Sequence, residues 1–329
     1  MDYGRLIREA WQITWRHPSL WILGLFAGGT FGASVGGGTG DADPNFTGWR
    51  GSPPEAHAPV PRGDFTVPDL GAWAADHLGL IVAGVALLLL LGLALLVISI
   101  IAQGGLTGAT ADLADGRPSS LRSALRTGAH LFWRFAGLWL LLVAAVAIVG
   151  AMVAAFVALV TALAMATEST ALLVAPAVLV GMLLIVSGIA AGVVASIVVP
   201  YAQRAIAVLD IGPLAALREG WRVLRAHPGA SLLVWLLNVA LTLGAGLVVT
   251  AVMLLVVVAL ATPVIALWFA FQLSGPTALA VSIVYVFIAV CAVIGVLLTL
   301  ISVINTFFWS YWTLAYLRLR SEPTAGTGH

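Results

Sequence analysis

Arg218-Glu219-Gly220-Trp221-Arg222-Val223-Leu224-Arg225-Ala226-His227-Pro228 is the stretch whose reading decides the fold. It is a short Arg-bearing amphipathic segment, closed by a His-Pro break and followed by a long apolar run. The chain opens with nearly the same phrase, Arg8-Glu9-Ala10-Trp11-Gln12-Ile13-Thr14-Trp15-Arg16-His17-Pro18, in which Arg, Glu, Trp, His and Pro return at matching offsets. A weaker third copy, Leu121-Arg122-Ser123-Ala124-Leu125-Arg126, aligns with Leu217 to Arg222. Outward from these copies the chain reads as one unit used three times: an interfacial amphipathic helix, a break, and an apolar helical hairpin.

Composition sets the environment. The 329 residues are 61% hydrophobic and 9% charged, with a mean hydropathy of +1.07. Soluble domains keep roughly a quarter of their residues charged, so a chain this poor in charge must turn most of its exterior to lipid. All fifteen basic residues are Arg, which together with abundant Ala, Gly and Val points to a GC-rich bacterial coding sequence. Cys291 is the only cysteine, which excludes an intrachain disulfide and a Cys-based metal site. Trp, Arg and Glu occupy the first sixteen positions and no Ala-x-Ala-like site follows, so no cleavable signal peptide is expected.

Apolar runs predict an all-α bundle of six transmembrane helices near 20–35, 78–102, 135–166, 170–199, 232–260 and 279–311. One integral membrane domain, 1–320, is expected, with repeats at roughly 1–112, 113–210 and 211–320 and a polar tail at 321–329. Residues 3–16 form an amphipathic helix with Leu6, Ile7, Ala10, Trp11 and Thr14 on one face. Pro18 disfavours helix at His17, so the chain can turn there into the membrane. Gly24, Gly28, Gly32 and Gly36 are each four apart, a side-chain-free ridge suited to close helix packing. Residues 36–76 hold six acids and two arginines with dense Pro and Gly, and read as an extracytoplasmic loop. Residues 263–276 are expected to form a short interfacial helix carrying Trp268 and Phe269. Thirteen of the fifteen arginines lie at 5–16, 117–134, 204–225 and 318–320. Cytoplasmic segments attract Arg, so six spans with both termini cytoplasmic in a bacterial inner membrane satisfy the distribution.

Asp115-Gly116-Arg117-Pro118 before an Arg-bearing helix, Arg218-Glu219-Gly220-Trp221-Arg222 before His227-Pro228, and the closing Tyr316-Leu317-Arg318-Leu319-Arg320 carry a resemblance. The chain resembles bacterial multi-pass membrane proteins of unknown function, similar to the membrane domain of glycerophosphoryl diester phosphodiesterases. In those enzymes hydrolysis belongs to a separate soluble barrel. The resemblance therefore implies neither phosphodiesterase activity nor catalytic residues for this chain.

No motif for chemistry stands up. Gly36-Gly37-Gly38-Thr39-Gly40 lacks the Lys of a phosphate-binding loop and does not follow a strand. Asp41-Ala42-Asp43-Pro44-Asn45 starts like a calcium loop, but Phe46 stands at the Gly position and Ser52 at the Glu position. The six histidines show no i, i+3 or i, i+4 pair that would suit zinc. Gln103, Asn238 and Asn305 are polar residues in apolar runs, suited to contacts between helices or to lining a cavity; Gln272 is a fourth. No Asp, Glu or Arg occurs at 135–167, 226–317 or 77–111, which counts against ion-coupled transport. Arg134 and Arg204 stand at span ends, where they are expected to snorkel to the inner headgroups. Arg5, Arg8, Arg16, Arg122, Arg126, Arg218, Arg222 and Arg225 would form an inner-face collar suited to anionic lipids, each contributing about 1 kcal/mol.

The sequence thus leads us to expect a non-enzymatic membrane protein without cofactor, metal or nucleic-acid partner, acting as a scaffold or partner subunit. Its contacts would be lipids and a membrane protein or a second copy of itself. The competing expectation is a transporter or lipid-handling protein with a cavity between the repeats, and the two differ in what occupies the bundle centre.

Overall fold

Asp2 starts the first helix: its Oδ1 accepts the Arg5 backbone N–H at 3.0 Å, satisfying a donor that a helix N-terminus leaves open. The computed structural model describes residues 2–28, 77–166, 171–271 and 276–321. The order is α1 (Tyr3–Arg16), α2 (Ser19–Ala27), α3 (Leu78–Ala114), α4 (Leu121–Ala166), α5 (Ala171–Leu209), α6 (Pro213–Ala226), α7 (Pro228–Phe271) and α8 (Pro276–Ser321). Every element among the described residues is helical. The acidic loop at 36–76, Gly32, Gly36, Gln272 and the tail beyond Ser321 lie outside the described residues.

The repeated phrase produces a repeated backbone. α1 ends at His17, with φ −126° and ψ 71°. α6 ends at His227, with φ −135° and ψ 63°. In each case a proline keeps the preceding residue out of the helical region, and a new helix starts at once. The links after α3 and α5 match as well: Gly116 and Asp210 both have positive φ, 74° and 54°. The third copy departs from the pattern. α4 is one unbroken helix of 46 residues, so Leu121 to Arg126 is its first turns and not a separate interfacial helix. The positions that would match His227 and Pro228 are Leu131 and Phe132, and nothing there interrupts the hydrogen-bond ladder.

A second departure is at Pro263. α7 continues through this proline to Phe271, so 263–271 is not a separate interfacial segment. A mid-helix proline frees carbonyls in the preceding turn, and neighbouring helices can satisfy them. The carbonyl that loses its own donor is that of Ala259; one residue on, the Tyr285 hydroxyl of α8 donates to the Leu260 carbonyl at 2.8 Å and ties α8 to this turn.

Five helices, α3, α4, α5, α7 and α8, are long and apolar enough to cross a membrane. The six expected from the sequence are not all present among the described residues, because the run at 20–35 is described only through Gly28 and α2 has nine residues. Each of the five far exceeds the roughly 20 residues a bilayer needs; α8, with 46, extends about 70 Å at 1.5 Å per residue.

Among the described residues, burial is confined to one end of these helices. The core holds Ile100 and Leu106 of α3, Phe135 and Leu138 of α4, Tyr201 and Ile206 of α5, Val234 of α7, and Tyr311 and Tyr316 of α8. The other ends are exposed and almost wholly apolar, as at Leu90, Leu159, Leu255 and Phe287. α1 lies along α8, α6 packs on α5, and α2 is wedged between α8 and α3. The Arg-bearing ends therefore converge into a packed head, and that head holds the site.

Candidate functional site

The head contains a half-open cavity of about 420 Å³ where α2, α3, α4, α5, α7 and α8 meet. Its wall combines amides, indoles and one cation. From α3 comes Gln103, which is 1% exposed. Its Nε2 donates to Ser99 Oγ at 3.3 Å, and its Oε1 accepts the indole N–H of Trp139 on α4 at 3.2 Å. Asn238 of α7 accepts the Trp312 indole N–H of α8 at 3.0 Å. Asn305 of α8 faces Gly28, the residue that ends α2. A Cβ on Gly28 would stand 1.6 Å from Asn305 Nδ2, so only glycine lets that amide reach the wall.

One turn earlier the same approach is closer to the backbone. A Cβ on Gly24 would lie 2.1 Å from Thr306 Oγ1 and 2.5 Å from the Ser302 carbonyl oxygen. The Thr306 hydroxyl bonds to both Ser302 O and Leu20 O, at 2.8 and 3.3 Å, and the Ser302 hydroxyl donates to Trp21 O. Small residues permit close helix approach, and hydroxyls then bond across the seam.

The cation is Arg204 of α5. The expectation that it snorkels to headgroups is corrected by its burial: it is 3% exposed. Packing of α5 against α8 covers it, and its guanidinium carbon stands 4.3 Å above the Trp309 ring. Its Nη1 donates to Gln203 Oε1 at 2.8 Å and to the Pro200 carbonyl at 3.2 Å, while its Nε is buried without a hydrogen-bond partner among the described residues. Withdrawing a guanidinium from water costs several kcal/mol after relaxation, on the order of the gain from its local partners. A hydrogen bond from a charged donor contributes about 1.5–3 kcal/mol, and a desolvated cation–π contact about 2 kcal/mol. These partners offset the desolvation but supply no counter-charge. Arg134, Arg222 and Arg318 pair with Asp210, Glu219 and Glu9; among the described residues Arg204 has no such carboxylate.

The eight arginines singled out as a collar lie elsewhere. Arg5, Arg8 and Arg16 on α1, Arg122 and Arg126 on α4, and Arg218, Arg222 and Arg225 on α6 are all exposed, and none lines this cavity. Arg5 bonds to Glu9 at 3.1 Å, and Arg225 stands 4.8 Å over Trp221. The Glu219 carboxylate, bonded to Arg222, raises that guanidinium's pKa above its ordinary value. Arg16 lines a separate surface hollow of about 540 Å³, with Glu9, His17, Asp115 and Arg318. No group of three or more His, Cys, Asp or Glu positioned to hold a metal occurs among the described residues.

Sequence reasoning singled out Gln103, Asn238, Asn305 and Gly28, and the structure brings all four to one cavity. It assigned Arg204 to the headgroups instead, and missed Gln203 and the four lining tryptophans 139, 235, 309 and 312. The available signal was Gln203-Arg204 three residues past Pro200, with no acid within one helical turn. The chain belongs to a family of unknown function (DUF7544), whose model matches residues 13–323. No curated protein and no solved structure matches it, so the likeness to the phosphodiesterase membrane domain has no support.

Proposed function

We propose that this chain is a multi-pass protein of the bacterial cytoplasmic membrane, with six spans and both termini cytoplasmic, that holds an amphipathic ligand in the cavity of its head. This is the lipid-handling reading, preferred over the scaffold or partner-subunit reading. The observation that carries it is the cavity itself: the centre of the head is open and lined by amides and indoles, whereas a scaffold has no need of polar groups facing an unfilled space. Pockets of this size and mixed lining suit small ligands. In this reading α2 (Ser19–Ala27) begins the sixth span, and residues 29–35 lie outside the described residues. The arginines on α1, α4 and α6 support the orientation, since they cluster at one end of the helices, and they suit contact with anionic headgroups.

The test is extraction of the tagged protein from its host in native nanodiscs, with mass spectrometry of all co-purifying molecules. The expected result is one amphiphile near one-to-one stoichiometry, reduced by Thr242→Trp, which fills the cavity from α7. A stoichiometric protein partner with no retained amphiphile would favour the scaffold reading, for which the repeated interfacial helices without a motif for chemistry are the motivating feature.

A further inference from the structure

We infer that the ligand is a monoanion, an oxyanion head on an apolar body, and that Arg204 is the group that recognises its charge. The inference rests on the cavity-binding reading above. Three observations carry it. Arg204 is buried, lines the cavity, and has no carboxylate partner among the described residues, so its charge is unmatched where ligand would sit. Its Nε is buried without a hydrogen-bond partner among the described residues, so the protein does not fully satisfy the guanidinium fork that carboxylate and phosphate oxygens match. Among the described residues no Asp or Glu lines the cavity, so the described wall carries one positive charge and neutral polar groups. That field repels cations and is balanced by a single negative charge; a dianion would bring an uncompensated charge of its own into a space poor in water.

The neutral wall completes the fit. The Asn238 side-chain oxygen is engaged by Trp312, leaving its amide N–H groups as donors. Gln203, which now occupies Arg204 Nη1, can exchange with a ligand oxygen by a rotamer change. The Trp309 face beneath the guanidinium supplies apolar surface, and the exposed apolar helix faces beyond the head continue it toward lipid. The shared chemistry is a phosphodiester or carboxylate head on an acyl chain.

Native mass spectrometry of the full chain in neutral detergent tests the idea, with dioleoyl phosphatidylglycerol, dioleoyl phosphatidylcholine of the same chains, and inorganic phosphate as probes. Wild type is expected to retain one phosphatidylglycerol, about tenfold or more above phosphatidylcholine: both carry the phosphodiester, but the choline cation brings a second positive charge beside Arg204, and about 1.4 kcal/mol of repulsion is a factor of ten. Arg204→Gln should abolish the preference and Arg204→Lys should keep part of it. Asn238→Asp gives an independent arm that does not depend on Arg204→Gln folding. It keeps an acceptor for the Trp312 indole and adds the missing negative charge, so phosphatidylglycerol should be lost while phosphatidylcholine is unaffected. Equal retention of both lipids by wild type would overturn the anion inference yet leave the amphiphile cavity standing. Retention of neither would overturn both. Displacement of phosphatidylglycerol by equimolar inorganic phosphate would overturn the acyl part, leaving a site for a free anion.

Discussion

Trp312 on α8 donates its indole N–H to the Asn238 side-chain oxygen on α7 at 3.0 Å. This bond spans 74 residues of chain and fixes two walls of the cavity against each other. In a membrane a hydrogen bond between helices has few competitors, though measured values stay modest.

Asn238→Leu is therefore expected to destabilise the protein by about 0.6–2 kcal/mol, through loss of the bond and an indole N–H left unsatisfied. Thermal unfolding in nanodiscs reads this directly. Asn238→Asp retains an acceptor and should fall less, which separates the bond from simple side-chain volume.

Gly24→Ala should cost about 1–3 kcal/mol, because its Cβ would meet the Ser302 carbonyl oxygen at 2.5 Å and a backbone atom cannot rotate aside. Gly84→Ala is the matched control: its Cβ meets nothing within 4 Å, and the better helix former should give up to about 1 kcal/mol. A Gly24→Ala protein as stable as wild type would mean that α2 does not seat on α8 in this way.

Asp210 combines a left-handed backbone, φ 54°, with an ion pair to Arg134. Asp210→Asn keeps tolerance for that backbone and loses the half-exposed charge contacts to Arg134 and, at 3.9 Å, to His130, so a change below about 1 kcal/mol is expected. Asp210→Val adds the strain of a β-branched residue at positive φ, on the order of 1–3 kcal/mol more. The order of the two melting temperatures is the readout.

Tyr285→Phe removes the hydroxyl that donates to Leu260 O beside Pro263. We expect a loss of about 0.5–1.5 kcal/mol together with faster amide exchange around residue 264, where the proline has already weakened the ladder. Unchanged exchange there would show that α7 bridges Pro263 without help from α8.

Legibility followed the range of the forces involved. His17-Pro18 and His227-Pro228 were readable as breaks because proline acts on its immediate neighbour. Leu131 and Phe132 carry no such signal, so the third copy was overextended by analogy with the other two. Pro263 misled in the opposite direction: the local rule for proline is real, but Tyr285, 22 residues later, ties α8 to this turn. Gln103, Asn238 and Asn305 stood out as amides in apolar runs, yet no spacing rule places them around one space.

The sequence by itself determined an all-helical chain whose helices are long enough to cross a bilayer, the two His-Pro hinges, and the segregation of arginine from the apolar runs. Each follows from composition, period or nearest-neighbour sterics. Only the tertiary structure decided that the helices pack at one end and that an open cavity lies within that head. It also decided that Arg204 is enclosed while Arg134, at an equivalent span end, finds Asp210. Burial of a charge depends on which helices cover it, and that is a property of packing between residues as far apart as Gly28 and Asn305.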